Sequence, residues 1–210
     1  MYSSLITVVT PATTKSLTTR DRVKSELGVT SNSDNAGIDA LIADSSRIIS
    51  SYCDRVFAQE VVSEVFRRGS WRPAESIILS RFPCTSIASL TEDGVAVAGS
   101  NWEADPETGI IRRLSGDSLS CWTASKIIVA YTAGYVLPGN PSRDLPEDIE
   151  RACLMLTKLM YFSRSRDPLV KEETIDGVGS ASYYVRGAMD MSIMPVEITS
   201  LIEPYRRIAV

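Results

Sequence analysis

The chain has 210 residues, a length that suits one domain or one domain carrying an insertion. Hydrophobic residues make up 44% and charged residues 23%, an ordinary balance for a chain that buries a sizeable core, and no apolar run approaches the ~20 residues that span a bilayer. The net charge of -4 argues against a protein that grips DNA broadly, and the complete absence of histidine removes the commonest general base, metal ligand and near-neutral pH switch together.

Met1 to Pro11 carries a short apolar patch, Leu5, Ile6, Val8 and Val9, with no basic segment before it; it reads as a short β-segment rather than a signal peptide. Thr18 or Thr19 can cap a short helix that ends at Leu27, with Asp21 in its first turn and Gly28 at the position after the end. Beyond a polar loop, Ile38, Leu41, Ile42, Ile48, Ile49, Tyr52 and Cys53 recur at the spacing of one buried helical face, predicting a second helix that ends near Arg55. From Glu60 to Tyr135 the pattern becomes β-prone: Val61–Phe66, Ile77–Leu79, Ile87–Leu90, Val95–Val97 and, strongest, Lys126–Tyr131. Asp93-Gly94 marks a hairpin, and Asp105 to Gly109 a turn before Ile110-Ile111.

A loop with Pro138, Gly139 and Pro141 leads to a third helix over Pro146–Phe162, with Pro146 at its first position and Glu147 and Asp148 beside the positive end of its dipole. Its apolar face is Ile149, Ala152, Cys153, Leu156, Leu159 and Met160. Ser163 to Met194 is rich in Ser, Gly and Arg and reads as an extended arm with one short strand at Ala181–Val185. Pro195–Pro204 reads as a final helix with Val196, Ile198, Leu201 and Ile202 on its apolar side. These elements predict an α+β fold. About four helices form a core, a small antiparallel sheet is inserted between the second and third, and an extended C-terminal arm follows. The expected domains are 1–162, a helical core with its β-region at about 60–135, and 163–210, the arm with a short helix and tail.

The motifs that would carry chemistry fail. Cys53, Cys84, Cys121 and Cys153 form no C-x-x-C pair, so they read as reduced structural thiols in a cytoplasmic setting, not as a zinc or redox site. Gly116-Asp117-Ser118-Leu119 spells the GDSL esterase signature, but a serine nucleophile needs a base that this histidine-free chain lacks. Gly177-Val178-Gly179 starts like a dinucleotide fingerprint, but Ser182 takes the third glycine's place. Glu92, Asp93, Asp105 and Glu107 lie near turns and do not match a calcium loop. The sequence therefore assigns no catalytic, cofactor-binding or metal residue. Arginine outnumbers lysine among the 22 basic residues, which suits bidentate contacts at lasting subunit interfaces, and equally ordinary surface charge.

The order of several segments carries a resemblance. Leu17–Leu27 and Ile38–Phe57 follow one another, with Tyr52 and Arg55 at the end of the second. Ile78-Leu79-Ser80-Arg81-Phe82-Pro83, Ile87–Leu90, Asp93-Gly94, Trp122 and Tyr131-Thr132-Ala133-Gly134-Tyr135 come next, then Leu145-Pro146-Glu147-Asp148-Ile149, and lastly Leu201-Ile202-Glu203-Pro204-Tyr205-Arg206-Arg207. Together they resemble the head–tail connector (adaptor, or head completion) proteins of tailed bacteriophages.

The resemblance implies a structural virion neck protein without catalysis or cofactor, assembled in the host cytoplasm. It would dock as a ring, a dodecamer, on the portal protein, extend the channel through which genomic DNA passes unread, and offer a platform to a downstream stopper or tail protein. No membrane partner is implied. The candidate portal-interface residues are Pro204, Tyr205, Arg206, Arg207 and Ile208. A terminal peptide can order on docking, with Tyr205 and Ile208 buried and the two arginines on portal carboxylates. The alternative is that this segment packs on its own subunit. Two other readings stay open: another neck or tail-completion (stopper) protein, separated by ring symmetry and partner, and a histidine-free enzyme or ligand-binding protein, separated by a deep pocket with convergent carboxylates.

Overall fold

A computed structural model describes residues 2–69, 73–164, 172–175, 179–182 and 194–207. The chain divides into two units, one built from Met1–Thr14 and Val56–Val136, the other from Lys15–Arg55 and Leu137–Val210. The first is made of strands and the second mainly of helices. The expected α+β class holds.

The strands of the first unit are β1 (Tyr2–Thr10), β2 (Glu60–Arg68), β3 (Ser76–Ile78), β4 (Cys84–Glu92), β5 (Val95–Ala96), β6 (Trp102–Asp105), β7 (Ile110–Ser115), β8 (Ser118–Ser120) and β9 (Lys126–Ala133). They make two antiparallel sheets where the sequence suggested one: a five-stranded sheet in the order β1-β2-β9-β4-β5, and β3-β7-β6 with β8 added to β7. β9, the strongest strand in the sequence, is the centre of the larger sheet, and its burial alternates strictly along Lys126–Ala133. Val62, Phe66, Ile127, Val129 and Tyr131 of that sheet share one core with Ile77, Leu79, Ile111 and the fully buried Trp122. The indole Nε1 of Trp122 donates to the Ile111 carbonyl at 3.3 Å, satisfying its one polar atom. The Asp93-Gly94 hairpin forms as expected, with both residues at positive φ (48° and 88°), as a tight two-residue turn requires.

One alternation runs against the hydrophobic pattern. On β2 the buried residues are Glu60, Val62, Glu64 and Phe66, while Val61 and Val65 are only half-buried. Glu64 is tolerated inside because its carboxylate is satisfied. Oε2 accepts the Ser80 backbone N–H at 2.9 Å and the Tyr131 hydroxyl at 2.7 Å, and Oε1 accepts the Ser80 hydroxyl. Burial first, and then the Glu64 charge, push the Tyr131 hydroxyl far above its ordinary value, so it remains a donor. The pair pins the loop after β3 onto the larger sheet. Glu64→Leu leaves Ser80 and Tyr131 without their acceptor and is expected to cost roughly 3 kcal/mol, read as a lower denaturant midpoint.

The helices of the second unit are α1 (Arg20–Leu27), α2 (Asn35–Cys53), α3 (Glu147–Ser163) and α4 (Val196–Ile202). Thr19 caps α1 by accepting from the Arg22 N–H, and Gly28 ends it in the left-handed conformation, both as read from the sequence. Val23, Ile38, Ile42 and Leu154 close a cluster among α1, α2 and α3. Leu154 lies off the expected face of α3 because that helix packs against α1 and α4 as well as α2, and so buries more than one stripe. Leu159 and Met160, expected on the buried face, are half-buried.

The seam between α2 and α3 is polar. Ser45 and Ser46 share the buried face of Ile42 and Ile49, and the Ser45 hydroxyl lies 2.7 Å from that of Thr157 and 3.4 Å from the Cys153 sulfur. Burial pushes the Cys153 thiol up, so it stays protonated and inert. Glu150, also buried, is paired with Arg143 and accepts from the Thr18 hydroxyl at 3.3 Å, tying the loop before α3 to the chain before α1.

Several boundaries move: the final helix, expected over Pro195–Pro204, runs Val196–Ile202 before a 3-10 turn. Pro146 stands at the N-cap of α3, one position earlier than expected, where its carbonyl accepts from Ile149 and Glu150 at 3.2 and 3.4 Å. Val196 of α4, expected on the buried side, is 68% exposed, while Ile198 and Ile202, one helical turn apart, are buried. A hairpin of β10 (Glu172–Ile175) and β11 (Gly179–Ser182) stands where the arm was expected. The strand expected at Ala181–Val185 thus begins at Gly179, and Val185 and most of the 163–194 arm lie outside the described residues.

Candidate functional site

The C-terminal segment grows out of α4. After Ile202 the chain makes a 3-10 turn over Glu203–Tyr205 and then extends through Arg206 and Arg207. It lies on the C-terminal end of α2, which Asp54 terminates at φ 48° in the left-handed conformation. The last carbonyls of any helix lack partners within it. Here the Cys53 carbonyl accepts the Arg207 backbone N–H at 2.8 Å, and the Tyr205 carbonyl accepts from Arg55 Nη1 at 3.3 Å. The Cys53 thiol, pushed up to about 11 by burial, faces the Ile202 carbonyl at 3.7 Å.

Side chains complete a clip. The Tyr52 hydroxyl donates to Glu203 Oε2 at 2.6 Å, Arg206 Nη1 donates to Glu203 Oε1 at 3.3 Å, and the Arg206 guanidinium stands 5.4 Å from the centre of the Tyr52 ring. The Tyr52 hydrogen bond holds the Glu203 carboxyl below its ordinary value and raises the Tyr52 hydroxyl above its own. A depressed carboxylate contributes attachment above its unfolded-state value and loses it as pH falls through the folded one. A raised phenol contributes below its unfolded-state value and loses it as pH rises through the folded one. The clip is therefore expected to be tightest between the carboxylate and phenol ranges. Acidification through the carboxylate range should loosen the tail, seen as a lower protection factor (exchange relative to the unstructured chain at the same pH) for the Arg207 amide, and Glu203→Gln should remove that acid step.

Of the residues predicted for an interface, Pro204 lies in the 3-10 turn, Tyr205 is half-buried, and Arg206 and Arg207 are exposed; Ile208 lies outside the described residues. The structure brings 204–207 together on α2 of their own subunit. In the sequence Tyr52 and Arg55 mark only a helix ending, with no local link to the tail. The Glu203–Arg206 spacing of three was the available signal.

The other motifs separate. Gly116-Asp117-Ser118 is the turn and first residue of the β7–β8 hairpin, with Ser118 exposed on a strand. Gly179 and Ser182 lie on β11, and Gly177 and Val178 lie outside the described residues. Among the described residues no three His, Cys, Asp or Glu side chains group to hold a metal, and no helix is long and apolar enough to cross a membrane. The four cysteines form no disulfide.

A family model described as head completion protein (HCP) matches residues 16–208, from the chain before α1 to the tail. The chain belongs to the head completion protein family. No curated protein matches this head completion protein. Among solved structures, a chain from the neck of an empty GTA particle, computed with C6 symmetry, is 16% identical. It aligns over 98% of this chain and 97% of that one, with a TM-score of 0.59. A chain from the virion of a native gene transfer agent (GTA) particle is 17% identical over the same shares, with a TM-score of 0.58. A chain from the neck of a native GTA particle computed with C12 symmetry is 19% identical, again over 98% and 97%, with a TM-score of 0.53. At these identities the likeness is one of fold. It extends along nearly the whole head completion protein.

Proposed function

We propose that this head completion protein is a structural component of a virion neck. It docks as a ring on the portal, extends the DNA channel and presents the platform on which the tail or a stopper assembles. The observation that carries this reading is the family match over 16–208, joined to full-length likeness of fold to chains from particle necks solved with C6 and C12 symmetry. A dodecamer fits the C12 case. The net charge of -4 suits a channel along which duplex DNA slides without being held. On this reading the protein turns over no substrate and binds no cofactor; it acts through surfaces in a particle assembled in the host cytoplasm.

The portal contact falls to Pro204 to Ile208. Arg206 keeps half its side chain exposed although it pairs with Glu203, so its guanidinium can take a portal carboxylate while the clip holds the backbone. Electron microscopy of the full chain mixed with portal-bearing capsids tests the reading. Extra density at the outer end of the portal is expected. Capsids that stay bare at every protein concentration would refute it.

A further inference from the structure

The larger sheet leaves two long edges open, and neither carries a charge. β1 is outermost, and its nine residues, Tyr2–Thr10, include no charged side chain. On the opposite side β5 and the Val97 N–H that follows it cover β4 only from Leu90 to Glu92. The stretch of β4 from Thr85 to Ser89 is uncharged too, and Thr85, Ser86, Ala88 and Ser89 are exposed, while the Cys84 N–H before them is taken by the Pro106 carbonyl at 2.7 Å. Among the described residues no strand lies beyond either edge. Proteins ordinarily guard such edges with charges, proline or shortness, because the unpaired N–H and C=O groups template a further strand. The smaller sheet obeys that rule: β6 carries Glu103 and Asp105, and β3 has only three residues. The two exceptions belong to one sheet. One of them also exposes large apolar side chains, Leu5 at 69% and Val9 at 61%.

We propose that these edges meet, β1 of one copy pairing with β4 of the next, so that the sheet continues from subunit to subunit. The proposal deepens the ring reading above and rests on it. Two different edges make a head-to-tail contact, the kind that closes into a ring; pairing β1 with another β1 would give a two-fold dimer and leave β4 bare. Strand direction agrees. β1, β2, β9 and β4 alternate, every neighbour antiparallel. A copy added in the same sense therefore brings its β1 antiparallel to β4, the pairing used throughout the sheet. Both edges are also irregular: Val9, Thr85 and Ala88 fall at register shifts. Bulges bend and twist a strand, and a sheet that continues around a closed ring needs such curvature. With no charges at the seam, main-chain hydrogen bonds provide the affinity.

Cysteine cross-linking of the full chain tests this, in a background where the exposed Cys121 is replaced (Cys121→Ser). Thr7→Cys on β1 is combined in turn with Thr85→Cys, Ser86→Cys, Ala88→Cys and Ser89→Cys on β4; all five sites are exposed, so the subunit keeps its core. Each variant is oxidised at high concentration and on portal-bearing capsids, with attachment scored separately by microscopy. At least one pair is expected to give a covalent ladder beyond the dimer, while single-cysteine variants stay monomeric. A ladder on capsids or in solution supports the seam. Absence of a ladder under both conditions overturns it, and capsids that visibly carry the protein show that the neck reading survives. Dimers from Thr7→Cys alone would also overturn it, by showing that β1 pairs with itself.

Discussion

Replacing Gly134 with alanine is expected to unfold the strand-built unit at markedly lower denaturant. Gly134 closes the Thr-Ala-Gly-Tyr segment at the end of β9, at φ +102°, outside the range that residues with a Cβ adopt comfortably. Its N–H donates to the Pro83 carbonyl at 2.9 Å, and the chain beside it bridges Ala58 to Tyr135. A Cβ built there stands 2.8 Å from the Ala58 carbonyl carbon and closer still to its oxygen. That neighbour is backbone, held by the Gln59 N–H to Tyr135 carbonyl bond at 2.9 Å, so it cannot swing aside as a side chain would. Conformational strain and the clash together are expected to cost on the order of 4 kcal/mol. Gly116→Ala is the control: φ is +62°, but nothing lies within 4 Å of the added carbon. It should cost about 1 kcal/mol, from strain alone. Equal losses in the two variants would show that the Ala58 contact does not matter.

Deleting Pro204 to Val210 is expected to abolish joining to portal-bearing heads while leaving a folded subunit. The deletion spares Ile198 and Ile202, the buried residues of α4, and Glu203, but removes the N–H that caps Cys53 and the guanidinium over Tyr52. The lost cap and exposed hydrogen bonds amount to about 1–2 kcal/mol, small beside the effect on attachment. A milder variant, Arg206→Ala with Arg207→Ala, keeps both backbone contacts and should weaken attachment by at least tenfold, the cost of one charge-assisted contact. Circular dichroism and capsid co-sedimentation separate folding from docking. Truncated protein that still co-sediments would move the portal contact elsewhere on the subunit.

The helices were legible because their signals are local. Thr19 and Gly28 bracket α1 where capping chemistry places them, and Ile38, Ile42, Ile49 and Cys53 repeat at helical spacing along α2. Asp93-Gly94 was legible for the same reason: two positive φ angles in succession leave few residue choices. What escaped is non-local. Nothing near β3 or β7 says that they leave the larger sheet. Glu60 and Glu64 look solvent-facing until Ser80 and Tyr131 arrive from elsewhere in the chain to satisfy Glu64, and the burial of Val61 and Val65 is inverted with them. Ser45 and Ser46 read as polar surface, yet Thr157 and Cys153 turn them into a seam. The candidate site splits the same way. Its composition stood in the last residues, whereas its attachment to Tyr52 and Arg55 needed a fold that brings residues some 150 positions apart together.

The Arg207 N–H caps the last carbonyl of α2, so the helix and the segment after α4 share one bond. Whatever takes hold of the last residues also holds the final turn of a helix whose inner face is packed against α3. One main-chain bond thus serves two elements, finishing α2 and fixing where the segment after α4 begins.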